Sequence, residues 1–217
     1  MIYAGKLLRA RSVVVAAASV GCAVFAAATG AQSIIDEWST VKTPPAPPLA
    51  NVTLDRKATA LLLLDFNERT CNQERRPRCV ASIRQVKKLL TNAREAGVPV
   101  AFSVGGGGKA SEINKELTPT KDEPVVSSGL DKFVGTDLES FLKQHGVKTV
   151  VVAGVAANGA VLYTATTAAE RGMRVVVPLD GISADALYPE QYTTWHLVNA
   201  PRIGTSVTLT KIDDVKF

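Results

Sequence analysis

The chain has 217 residues, 46% hydrophobic and 21% charged, with a formal net charge of +5. That composition suits a soluble globular protein with length for one sizeable core. Lys6, Arg9 and Arg11 carry three of those charges before any acid occurs, and the +2 left is too weak for a nucleic-acid groove.

Residues 1–31 read as a signal peptide: a basic start, an apolar run from Ser12 to Ala28, and small residues at Ala28–Ala31. Cys22 after "ASVG" offers a lipoprotein alternative, and an uncleaved anchor is the main competitor. The signal reading places the mature protein in a periplasmic or secreted compartment, with no membrane partner after cleavage. Residues 32–57 read as a linker, extended by Pro44, Pro45, Pro47 and Pro48. The globular domain is expected over 58–217.

"TALLLLDF" (59–66) is a continuous apolar run ending in Asp65, the pattern of a strand buried on both faces. In "TCNQERRPRC", Cys71 and Cys79 read as a disulfide in an oxidising compartment. The alternative is a thiolate stabilised by Arg75, Arg76 and Arg78. An amphipathic helix follows with Ile83, Val86, Leu89, Leu90 and Ala93 on one face, ended by Gly97. "VPVAFSV" is a strand, then four glycines, then a short strand "EPVV". "GTDLESFLKQHG" is a helix with Thr136 and Glu139 as a capping box. Next come a strand "VKTVVVAG", a helix "NGAVLYTATTAAERG", a strand "MRVVVPLDG", a helix around Pro189, and a last strand near 205–212. This alternation predicts an α/β fold with a mostly parallel central sheet between helical layers, binding ligands beyond the carboxyl ends of its strands.

Asp65, poorly solvated at a strand end, is a candidate general acid or base; the competing role is a cap or structural ion pair. "SVGGGGKA" fails as a P-loop, because Ser103 replaces the first glycine and Ala110 the hydroxyl residue. A flexible loop at the pocket rim is expected there. His145 and His196 have no metal spacing, so no metal or other cofactor is predicted. Lys132 reads as a solvated loop lysine, or else as positive charge for the pocket.

Three segments in order resemble the isochorismatase-like cysteine hydrolases: "TALLLLDFN", "VVSSGLDKFVGTDLESFLKQHGVKTVVVAGV" and "GVAANGAVLYTATTAAERGMRVVVPLDGISA". The resemblance covers about residues 58–184 and implies a three-layer Rossmann-like fold, a small-molecule substrate and homo-oligomeric assembly. It matches Asp65 to the family's aspartate, Ser127 to the lysine position six residues before Phe133, and Ala160 to the nucleophilic cysteine. It also implies a cis peptide between Val155 and Ala156. Phe66, Asn67, Phe102, Phe133, Val155, Ala156 and Tyr163 are candidate pocket residues.

With no thiol at Ala160, amide hydrolysis through an acyl-enzyme is not expected. The resemblance leaves Asp-dependent hydrolysis of a small carboxylate or vinyl ether, the alternative being an inactive, ligand-binding member. Lys132 or Lys121 are the candidates to replace the missing lysine.

Overall fold

The computed structural model describes residues 33–217; the expected signal peptide and Cys22 lie outside the described residues. Residues 33–43 and 44–217 form separate compact units. In the first, Ile34–Glu37 is a short helix, α1, followed by a 3₁₀ turn at Trp38–Thr40. The Ser33 hydroxyl and N–H both donate to the Asp36 carboxylate, which nucleates that turn where an extended linker was expected.

The second unit begins with the proline segment, and its chain joins the domain before residue 58. The Ala50 N–H donates to Leu209 O, and strand β1 (Val52–Thr53) pairs in parallel with β9 (Val215–Lys216). Backbone hydrogen bonding to the chain's last strand therefore fixes what composition alone reads as linker.

The central elements are β2 (Thr59–Leu64), α2 (Pro77–Glu95), β3 (Val100–Gly105), β4 (Val125–Ser128), α3 (Leu138–Gln144), β5 (Thr149–Val155), α4 (Leu162–Glu170), β6 (Arg174–Pro178), β7 (Ile182–Ser183), α5 (Leu187–Asn199) and β8 (Val207–Thr210). The sheet order is β4-β3-β2-β5-β6-β8, all parallel, with β7 added beside the end of β5. This is the predicted α/β sheet.

Both faces of the sheet are covered, as its continuous apolar strands require. Along β2, Ala60, Leu62 and Leu64 face a core shared with α3, α4 and α5, whereas Leu61 and Leu63 face the core beneath α2. Each fully buried leucine is worth about 1.5–3 kcal/mol of burial, so the six-residue β2, buried throughout, anchors both layers. The expected helix at 135–146 is shorter than its pattern. Asp137 rather than Thr136 is its N-cap, and the Thr136 hydroxyl donates to Lys132 O while accepting the Leu138 N–H.

The sheet grows outward in opposite directions from the β2–β5 pair. A crevice therefore opens beyond the carboxyl ends of these two strands, the topological switch point where such sheets bind ligands. Gly154 of β5 makes the pair close. A Cβ there would stand 2.6 Å from both Cβ and O of Leu64, the residue before Asp65.

Candidate functional site

Asp65 leaves β2 at this switch point with φ +57°, a left-handed conformation that aspartate tolerates better than most side chains. The turn is tied down locally: the Asn67 N–H and the Thr70 hydroxyl both donate to Asp65 O. The carboxylate is buried and both of its oxygens accept hydrogen bonds. Ser103 Oγ, on the neighbouring strand β3, donates to Oδ1 at 2.7 Å. Lys132 Nζ donates to Oδ2 at 2.9 Å.

Of the two roles expected for Lys132, the structure shows the second, positive charge beside Asp65. Lys132 is 0% exposed rather than a solvated loop residue. Its ammonium also donates to Gly129 O at 2.7 Å and approaches Ser128 O at 3.4 Å. Its backbone N–H donates to Thr164 Oγ1 on α4, which locks the loop against the helix. A buried charge is tolerated when paired and hydrogen-bonded, and here the ammonium has three oxygen partners.

Ser127, the position at which the resemblance expects the family's lysine, is exposed on the edge strand β4, its Oγ 3.4 Å from Gly105 O. It does not meet Asp65. Lys121 is also exposed. The cation thus reaches the aspartate from five positions further along the chain than the spacing rule expects. The signal available in the sequence was Lys132 itself, directly before Phe133 in a block matched to the family.

Ala160 lies in the corner after β5, 2% exposed within a turn, Ala157–Val161, that is kinked at Gly159 and runs into α4. The Val155–Ala156 peptide is cis. Leu130, from the loop that carries Lys132, covers this corner, its Cδ2 3.4 Å from where a Gly159 Cβ would stand. The corner therefore adjoins the loop that carries Lys132, and Ala160 gives it a methyl group.

The expected wall residues divide. Val155 and Ala156 form the corner. Phe66 and Phe102 are buried in the core beneath α2, and Phe133 in the opposite core, where Arg171 stacks 4.5 Å over its ring. Asn67 is buried, with Oδ1 accepting the Arg69 N–H in the turn. Tyr163 is half-exposed at the start of α4. The four glycines form a tight turn, Gly108 N–H donating to Gly105 O at 2.8 Å. A cavity of about 550 Å³ lies elsewhere, between Leu179–Ile182 and the first half of α5.

Cys71 and Cys79 are joined as a disulfide, Cα atoms 5.4 Å apart. The bridge closes the loop between Asp65 and α2. Within it, Arg76 is buried, Nη1 donating to Thr70 O at 2.7 Å and Nε lying 2.8 Å from Asp185 Oδ1. Burial pushes its guanidinium below the usual arginine range, opposed by the charge of Asp185 and, less strongly, of Asp65. Among the described residues no cluster of metal-ligating side chains occurs, and both histidines stand apart. His145 Nδ1 meets Phe141 O at the end of α3, and His196 packs against Tyr192.

This sheet, with a buried acid–cation pair beside a strand-to-helix corner, defines an isochorismatase-like α/β protein. The isochorismatase domain matches residues 59–210, and the chain belongs to that family. It is 33% identical over 113 residues to the secreted isochorismatase effector Isc1 of Verticillium dahliae, covering 47% of this chain and 60% of that one. To the isochorismatase family protein YecD of Escherichia coli O157:H7 it is 27% identical over 175 residues, covering 70% and 92%. Among solved structures, a cysteine hydrolase from Pseudomonas syringae has the same fold, with TM-score 0.65, 20% identity, and coverage of 78% and 96%.

Proposed function

We propose that the protein is an Asp65-dependent hydrolase in which water attacks a small vinyl-ether or carboxylate substrate directly, without a covalent enzyme intermediate. The observation that carries this reading is the Lys132–Asp65 ion pair, buried at the switch point beside a corner that has Ala160 in place of a thiol. Alanine has no lone pair to form an acyl-enzyme. Aspartate and lysine suffice for proton transfer and for charge stabilisation.

For a vinyl ether, protonated Asp65 delivers its proton to the enol carbon, leaving an oxocarbenium ion. Water adds to that cation and returns a proton to Asp65. The hemiketal then breaks into a ketone and an alcohol. Lys132 and Ser103 donate to the Asp65 oxygens and so hold the carboxyl group in a fixed orientation for the transfer.

The test is a screen with isochorismate and small amides, comparing wild type with Asp65→Asn. Asparagine keeps the left-handed backbone accessible while removing the transferable proton. The expected loss is about 100-fold or more for a missing acid–base group. Turnover that survives Asp65→Asn sinks the mechanism, and saturable binding without any turnover favours a ligand-binding role.

Export is part of the same proposal. It rests on the basic-then-apolar N-terminus, on the disulfide, which persists in oxidising compartments, and on similarity to a secreted relative. N-terminal sequencing of protein recovered outside the cytoplasm checks it. Among the described residues no helix is long and apolar enough to cross a membrane. Homo-oligomeric assembly is also proposed: α5 leaves Tyr188, Tyr192 and Trp195 exposed at helical spacing, and light scattering gives the copy number.

A further inference from the structure

We propose that Arg76 and Ser183 form a carboxylate-recognition subsite across the end of β5, held shut by Asp185. The proposal rests on the reading that Asp65 marks the reacting centre, and it names the substrate group held beside it.

Connectivity places the subsite. Arg76 Nη1 donates to Thr70 O, and the Thr70 hydroxyl donates to Asp65 O, so one side of the guanidinium is tied to the end of β2. Its Nε lies against Asp185, two residues after Ser183. Ser183 is the register partner of Val155. Strand β5 lies between β2 and β7, so the guanidinium spans the end of β5 at the Val155–Ala156 corner. Register partners in parallel strands share a face. Ser183 therefore faces the same side as Val155, the side on which α2 packs, and Arg76 is the N-cap of α2.

Two polar atoms in this span lack hydrogen-bond partners although they are buried. Arg76 Nε sits 2.8 Å from Asp185 Oδ1 but its N–H is not aligned on an acceptor, and Ser183 Oγ has no partner at all. Arg76 is 5% exposed and Ser183 2%. Buried donors without acceptors are costly, and these two belong to different elements that meet at the site. A planar group with two acceptor oxygens satisfies both, and a guanidinium fork matches a carboxylate in this way.

Charge agrees with the geometry. Arg75, Arg76, Arg78 and Lys132 pair with Asp185, Glu190 and Asp65, four cations against three carboxylates. Asp185 alone among these three carboxylates serves two arginines. Asp185 is the resident occupant: its side chain is 53% exposed and is shared between Arg75 and Arg76. A ligand carboxylate takes its place on Arg76, leaving Asp185 to Arg75 and solvent.

Calorimetric titration of the full-length chain with benzoate and benzamide tests this, since the probes share a shape and differ in charge. Benzoate is expected to bind about tenfold more tightly than benzamide, the scale of one charge-assisted hydrogen bond. Arg76→Lys should remove most of that preference and leave benzamide unchanged. Asp185→Asn should tighten benzoate severalfold, a gain that misfolding does not produce. Equal affinities for the two probes, benzoate binding indifferent to Arg76→Lys, or no benzoate binding even in Asp185→Asn would overturn the subsite. Arg76-dependent benzoate binding in a protein without hydrolase activity would keep the subsite and remove the catalytic reading. Turnover with no carboxylate preference would do the reverse.

Discussion

Lys132 holds Asp65 by charge, and the pair is buried on both sides, 0% and 9% exposed at the side chains. Truncating the cation while keeping the carboxylate leaves an uncompensated buried charge, which costs about 3–5 kcal/mol. Lys132→Met is therefore expected to lower the urea midpoint sharply. The double variant Lys132→Met/Asp65→Asn should recover a large part of that loss, because the two residues share one interaction and their effects do not add. Additive losses in urea unfolding would show that the ion pair contributes little. The sequence made Asp65 legible, since an acid closing six buried residues is conspicuous. Lys132 was legible only as one of two candidates, beside Lys121, because spacing counts positions along the chain. A long side chain on a loop locked to Thr164 reaches the aspartate from a different position, and no period in the sequence encodes that reach.

Between elements, the closest fit is β2 against β5. At Gly154 a methyl group would meet backbone and Cβ atoms of Leu64 at 2.6 Å, and these atoms cannot swing aside as a side-chain tip can. Gly154→Ala should cost about 1–3 kcal/mol as an overpacked core. Because Leu64 immediately precedes Asp65, the displaced strand end should also lower turnover beyond what the loss of folded protein explains. Unfolding curves and specific activity on the same preparation separate the two effects, and a variant with unchanged stability and activity would refute the close packing. The strand–helix alternation was readable from runs such as "TALLLLDF" and "TVVVAG". The β1–β9 pairing was not, since Val52 and Thr53 look like part of a proline-rich linker until the last strand is placed beside them.

Across the molecule, the loop closed by Cys71 and Cys79 connects the end of β2 to the segment after β7. Arg75 and Arg76 pair with Asp185, and Arg78 pairs with Glu190, whose other oxygen accepts the Ala184 N–H at 2.9 Å. The bridge spans a sequence separation of 8, for which chain entropy predicts about 2.5 kcal/mol of stabilisation. Both cysteines are buried in the core beneath α2, so the intact protein should resist mild reductant and respond only once unfolding exposes the bond. Cys71→Ser/Cys79→Ser avoids that kinetic barrier. Its urea midpoint should fall by an amount equivalent to about 2–3 kcal/mol. Amide hydrogen exchange should quicken first in 72–78 and around Asp185, because the arginine contacts hold these segments to each other and lose their anchor together. Exchange that quickens evenly over the whole sheet would instead mean that the bridge acts only on the unfolded chain and does not organise the site.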